Sequence, residues 1–120
     1  METKFTTYLL TNWNRSLLYV GFTNNLSVRL IEHWIGNLYS HTTKFNIYYL
    51  VWYESTKYVL NAIDAEKKIK KYTRAQKNIL INSFNPTWDF LNEEIVGNWP
   101  PTQEQIDAAK SRWRENRDLL

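Results

Sequence analysis

The 120-residue chain has no cysteine, which excludes a disulfide framework, a thiolate metal site and a cysteine nucleophile together. A reducing, intracellular setting fits this, and a cytoplasmic location is expected. Glycine and proline number three each, and the breaks they mark fall at Gly36, at Asn85-Pro86 and from Gly97 to Pro101. No apolar stretch approaches the roughly 20 residues that a membrane helix needs. Met1 to Tyr8 carries Glu2 and Lys4 ahead of a strand-like run, unlike a signal peptide. The expectation is a soluble, non-secreted protein with no membrane partner.

Apolar residues make up 43% of the chain and aromatics 16%, which is far from the composition of disorder and calls for a packed core. The length suffices for one such core and not for two. A net charge of +3 says little about partners, but its distribution says more. Lys67, Lys68, Lys70, Lys71, Arg74 and Lys77 crowd into one stretch without an acid, whereas the tail after Gly97 balances its charges.

Phe5 to Leu10 and Leu17 to Gly21 are rich in β-formers and flank Asn12, Asn14 and Ser16, which predicts a hairpin with a turn longer than two residues. Capping side chains at Thr23, Asn24 and Asn25 precede Leu26, Leu30 and Trp34, spaced by four, for a first helix ending at Gly36 or Asn37. Ile47 to Glu54 reads as a third strand. Val59, Ala62, Ile63, Glu66 and Ile69 share one face of a second helix running to about Thr73, and a third spans Ala75 to Ser83 until Asn85-Pro86 breaks it. Thr102 with Gln105 has the form of a capping box, and Ile106, Ala109 and Trp113 give a last helix its apolar stripe. The expected domain is 1–96, with 97–120 a linker and helical extension.

Four places carry candidate chemistry. Glu66 puts a carboxylate where the apolar face calls for a hydrophobe, so it needs a cation: a divalent metal, or a lysine or arginine in an ordinary salt bridge. Arg29 and His33, four apart, share a helix face and can address one phosphate, or stand as plain surface residues. Tyr8 and Tyr19 lie on the two hairpin strands, and Gly21 leaves room for a substrate or another backbone; packing tyrosines with polar tips are the plainer reading. Asn85 is a turn residue whose amide can also hold a water or phosphate.

The order of these pieces resembles the GIY-YIG nuclease family. Thr7-Tyr8 and Tyr19-Val20-Gly21 are similar to its two name-giving elements, followed by Asn25-Leu26, Arg29 and Glu32-His33. Glu66-Lys67-Lys68-Ile69-Lys70 resembles the metal-binding helix, and Asn85-Pro86-Thr87-Trp88 the closing segment. The likeness runs from Phe5 to Glu94 and is nearest to the small stand-alone members. It implies an α/β (α+β) fold with a small three-stranded antiparallel sheet flanked by helices. It also implies a metal-dependent endonuclease or nicking enzyme acting in DNA repair or recombination. Tyr19 is then the base that activates water, assisted by Tyr8; Arg29 steadies the phosphate; and Glu66 binds Mg²⁺ or Mn²⁺. His33 lies beside the water or phosphate, and Asn85 helps shape the site. Lys67, Lys70, Lys71, Arg74, Lys77 and Lys44 would grip nucleic acid, DNA before RNA. Phe22, Val28 and Ala65 depart from the family by replacing basic residues common in relatives, which weakens the expected grip.

Two other readings stand beside this one. The domain can bind nucleic acid without cutting it, through the basic face and exposed aromatic rings. Alternatively, the tail helix serves a protein partner or a homodimer through its apolar stripe, unless that stripe packs on its own domain.

Overall fold

In a computed structural model the described residues are 4–36 and 46–118, without the side chains of 113–118. Lys44 and the side chain of Trp113 lie outside them. Strands β1 (Phe5–Thr11), β2 (Leu18–Thr23) and β3 (Tyr49–Thr56) form one antiparallel sheet in the order β2-β1-β3. The third strand therefore joins the hairpin on the far side of β1. The helices are α1 (Leu26–Ile35), α2 (Val59–Lys70), α3 (Arg74–Phe84), α4 (Asn92–Val96) and α5 (Gln103–Asp118).

Alternation along β1 divides the interior in two. Tyr8 and Leu10 join Leu30, Ile47 and Leu50 on the α1 side, while Leu9 joins Val20, Trp52, Ile69 and Ile81 on the α2 and α3 side. The β1–β3 register slips between Leu9, opposite Trp52, and Leu10, opposite Leu50. The skipped Val51 lets β3 send two consecutive side chains, Val51 and Trp52, into the same core.

Helix ends follow the capping residues. The Asn25 side chain accepts a hydrogen bond from the Val28 amide at the start of α1, and Gly36 ends it at φ 76° with its amide on the Glu32 carbonyl. Thr73 and Gln76 form a reciprocal capping box that starts α3, so α2 stops at Lys70, short of the expected Thr73. Thr102 and Gln105 form another at α5. That helix packs on α1 and buries Ala109, and Trp99 meets Trp34 edge-on at 5.5 Å. The tail thus covers its own domain.

The five-residue α4 is too short for a periodic pattern to announce it. Its first residue, Asn92, is 1% exposed, accepts a hydrogen bond from the Leu50 amide at 2.8 Å and donates one to the Tyr48 carbonyl at 2.8 Å. The side chain acts as a partner strand for the free edge of β3. Asn92→Ala leaves a buried amide without its acceptor, and we expect a loss of about 1–3 kcal/mol in urea unfolding. An unchanged midpoint would show that water takes over this edge.

Candidate active site

Tyr8 is fully buried in the middle of β1, directly opposite Gly21 of β2. A Cβ at Gly21 would stand 2.5 Å from the Tyr8 hydroxyl and 2.6 Å from Cζ, so only glycine admits the ring there. The space that the sequence reading left for a substrate or backbone is filled by Tyr8 itself.

A buried phenol needs partners, and α1 supplies two. Arg29 Nε donates to the Tyr8 oxygen at 3.3 Å, and His33 Nε2 lies 3.0 Å from it. The imidazole is also fully buried, with its ring 5.8 Å from Tyr8 and 5.5 Å from Tyr19 in edge-on contacts. His33 therefore stands behind the tyrosines instead of at the surface. Burial, with the Arg29 charge adding to it, depresses its pKa to about 3, so the ring is neutral at physiological pH. Arg29 Nη1 approaches Glu32 at 3.7 Å. Burial raises the Glu32 pKa, opposed by the charges of Arg29 and of Arg112 on α5.

Glu66 lies on α2 with its side chain 17% exposed, bound by the Lys70 ammonium one turn on. The cation demanded by its apolar surroundings is thus supplied within the helix. The hydrogen bond that Lys70 donates to Glu66 raises the Lys70 pKa, with a smaller electrostatic contribution from the half-exposed Tyr19. Both i,i+3 and i,i+4 pairs, Arg29–Glu32 and Glu66–Lys70, were visible in the spacing alone.

Two other expected residues are held by the fold. The Asn85 amide donates to the Val51 carbonyl at 3.0 Å and to the Asp89 carbonyl at 2.9 Å, while its oxygen accepts from the Asp89 amide. It ties the turn after α3 to the β3 irregularity. Arg74 donates to the Arg15 and Ser16 carbonyls at 2.7 and 2.9 Å and to Asn78, clamping the hairpin turn. Lys67 and Lys71 are exposed and Lys77 is half-buried.

A model of the GIY-YIG catalytic domain matches residues 4–79, more than half of the chain. The chain belongs to the GIY-YIG family. No curated protein and no solved structure matches it. The three-stranded antiparallel sheet flanked by helices is the fold that the family implies. GIY-YIG nucleases act on DNA and generally use a divalent metal.

The donor set suits one hard cation. Among the described residues no three His, Asp or Glu side chains gather into a cage. Magnesium-type ions need none: they keep most of their waters and bind through one or two carboxylates plus substrate phosphate. Glu66 offers such a carboxylate, partly exposed and already paired with a positive charge.

The depressed His33 pKa has a consequence for stability. The unfolded chain takes up this proton near pH 6.5 and the folded chain only near 3, so the stabilisation is complete above 6.5 and is lost as pH falls toward 3. Between pH 6.5 and 5, where most carboxylates stay ionised, unfolding free energy should fall by up to about 1.4 kcal/mol per pH unit. Urea midpoints of His33→Gln should be flat across that window; an equal slope in both proteins would assign the proton elsewhere.

Proposed function

We propose that this GIY-YIG protein is a metal-dependent endonuclease or nicking enzyme that hydrolyses phosphodiester bonds in DNA. The observation that supports this best is the convergence of Tyr8, Arg29 and His33 in one hydrogen-bonded group with Tyr19 against it. The chemical types that phosphodiester hydrolysis needs stand together: phenols, a guanidinium and a neutral imidazole.

In this reading Tyr19, half-exposed and acting as its phenolate, takes the proton from the attacking water as the water oxygen bonds to phosphorus; the bond from phosphorus to the leaving oxygen breaks, and that oxygen takes a proton from solvent. A phenol is a weak proton acceptor near neutral pH unless cations surround it. Lys70 interacts electrostatically with Tyr19, and Arg29 bonds the Tyr8 hydroxyl, whose other partner His33 meets the Tyr19 ring. Tyr8 is sealed from solvent and assists from behind. Its oxygen receives the Arg29 Nε–H, and its hydroxyl can donate a hydrogen bond to Nε2 of the neutral His33, which holds the phenol in place without taking its proton. Arg29 offsets the charge that builds on the phosphate oxygens. Glu66 would hold Mg²⁺ or Mn²⁺, which supplies Lewis-acid charge to the phosphate and its water. Asn85 acts on the site only through the turn it ties down.

Lys67, Lys70, Lys71 and Lys77 form the basic surface for backbone phosphates, with Arg74 bracing it. The same surface fits the alternative of a module that binds nucleic acid without cutting it.

Labelled duplex, single-stranded and branched DNA incubated with Mg²⁺, Mn²⁺ or EDTA tests the choice. Cleavage should require metal, vanish in Glu66→Ala with binding kept, and drop at least about 100-fold in Arg29→Ala. Binding of every substrate without cleavage of any would select the non-catalytic module.

A further inference from the structure

We propose that Trp13, at the tip of the β1–β2 turn, is a stacking platform for an unpaired base next to the cleavage site. The substrate is then a nucleic acid with a single-stranded segment adjoining the scissile bond. This rests on the nuclease reading above and narrows its substrate class.

Trp13 is 70% exposed, yet the turn that carries it is firmly held. The Asn12 side chain accepts from the Ser16 and Leu17 amides at 2.9 and 3.1 Å and donates to the Ser16 hydroxyl at 2.9 Å. Arg15, at φ 60°, donates through Nε to the Trp88 carbonyl and lays its guanidinium 4.3 Å from the centre of the Phe90 ring. Arg74 fixes the Arg15 and Ser16 carbonyls from α3. Every residue from Asn12 to Leu17 thus has its polar side chain or its amide or carbonyl used in holding the turn, Trp13 itself through its carbonyl, which accepts from Arg15 at 3.4 Å. The indole is displayed on a rigid mount, which limits the conformational entropy lost when a flat partner settles on it.

Position sets Trp13 apart from two other well-exposed apolar residues. Tyr58 and Leu60, also well exposed, begin α2 at the end of the sheet where Thr56 pairs with Phe5, opposite to the turn. Trp13 lies three residues beyond Leu10, the partner of Tyr19, hence within about 11 Å of chain from that pair.

The basic stretch leads the same way. Lys70 and Lys71 are exposed at the end of α2, and Arg74 at the start of α3 touches the turn itself, so the basic stretch runs up to the foot of the indole. A backbone-tracking row of cations ending at an exposed aromatic ring is the arrangement that binds single strands, with phosphates along the row and a base face on the ring. A paired base inside a duplex offers no such face.

Fluorescence anisotropy in EDTA, which keeps binding apart from cutting, tests this with a single-stranded oligonucleotide, a blunt duplex and a duplex with an overhang. Trp13→Ala should weaken binding of the single strand and the overhang by about 5- to 100-fold and leave the blunt duplex within about twofold. Trp13→Phe should retain most of the affinity, Trp13→Leu should behave as alanine, and the salt dependence should be unchanged, since no phosphate contact is removed. Quenching of a 2-aminopurine base in the single strand should appear with wild type and disappear with Trp13→Ala. Equal losses on duplex and single strand, no loss on either, or leucine matching phenylalanine would overturn the platform. If wild type cleaves duplex with metal while showing none of these differences, the platform fails and the nuclease stands; if wild type binds no nucleic acid, both fail.

Discussion

A phenol hydroxyl buried at the centre of a sheet must find hydrogen-bond partners within the protein, and much of this structure is arranged around that requirement for Tyr8. The ring fits because Gly21 faces it across the strand pair. The hydroxyl is satisfied because α1 lies with Arg29 and His33 turned toward the sheet, which in turn requires the helix to begin at the Asn25 cap and end at Gly36. The same burial keeps His33 neutral. Fold stability and the protonation state of the site therefore have a common origin.

Much of the fold was legible because its signals are local. The hairpin, the first helix with its caps, the break at Asn85-Pro86 and the capping box at Thr102 each declare themselves within a few residues. What stayed hidden depends on pairs distant in the chain. Asn92 looks like any polar loop residue until it is seen bonding Leu50 and Tyr48, and Arg74 looks like one more cation in a basic run until its guanidinium is seen on the Arg15 and Ser16 carbonyls. The spacing placed Arg29 and His33 together, but nothing in it tells a surface histidine from one sealed behind two tyrosines. Glu66 stood out as a misplaced carboxylate, and of the two cations open to it the structure shows the lysine four residues on.

The departures from the family pattern acquire local reasons in two cases. Thr7, where an apolar residue is usual, donates its hydroxyl to the Ala62 carbonyl at 3.1 Å in a buried contact that pins α2 to β1. Thr6 meets Ser55 across the sheet at 2.8 Å. Thr7 thus exchanges hydrophobic contact for a hydrogen bond that docks the helix bearing Glu66, Thr6 ties β1 to β3, and the tyrosine stays in register. Nothing in the structure explains why Phe22, Val28 and Ala65 replace basic residues.

The tail helix lies beyond the residues that match the family, yet its charge reaches the group around Tyr8. Arg112 on α5 acts on Glu32, Glu32 draws the Arg29 guanidinium, and Arg29 bonds the Tyr8 hydroxyl. Charge changes on α5 therefore act on the phenol through Glu32 and Arg29 and leave every motif residue untouched.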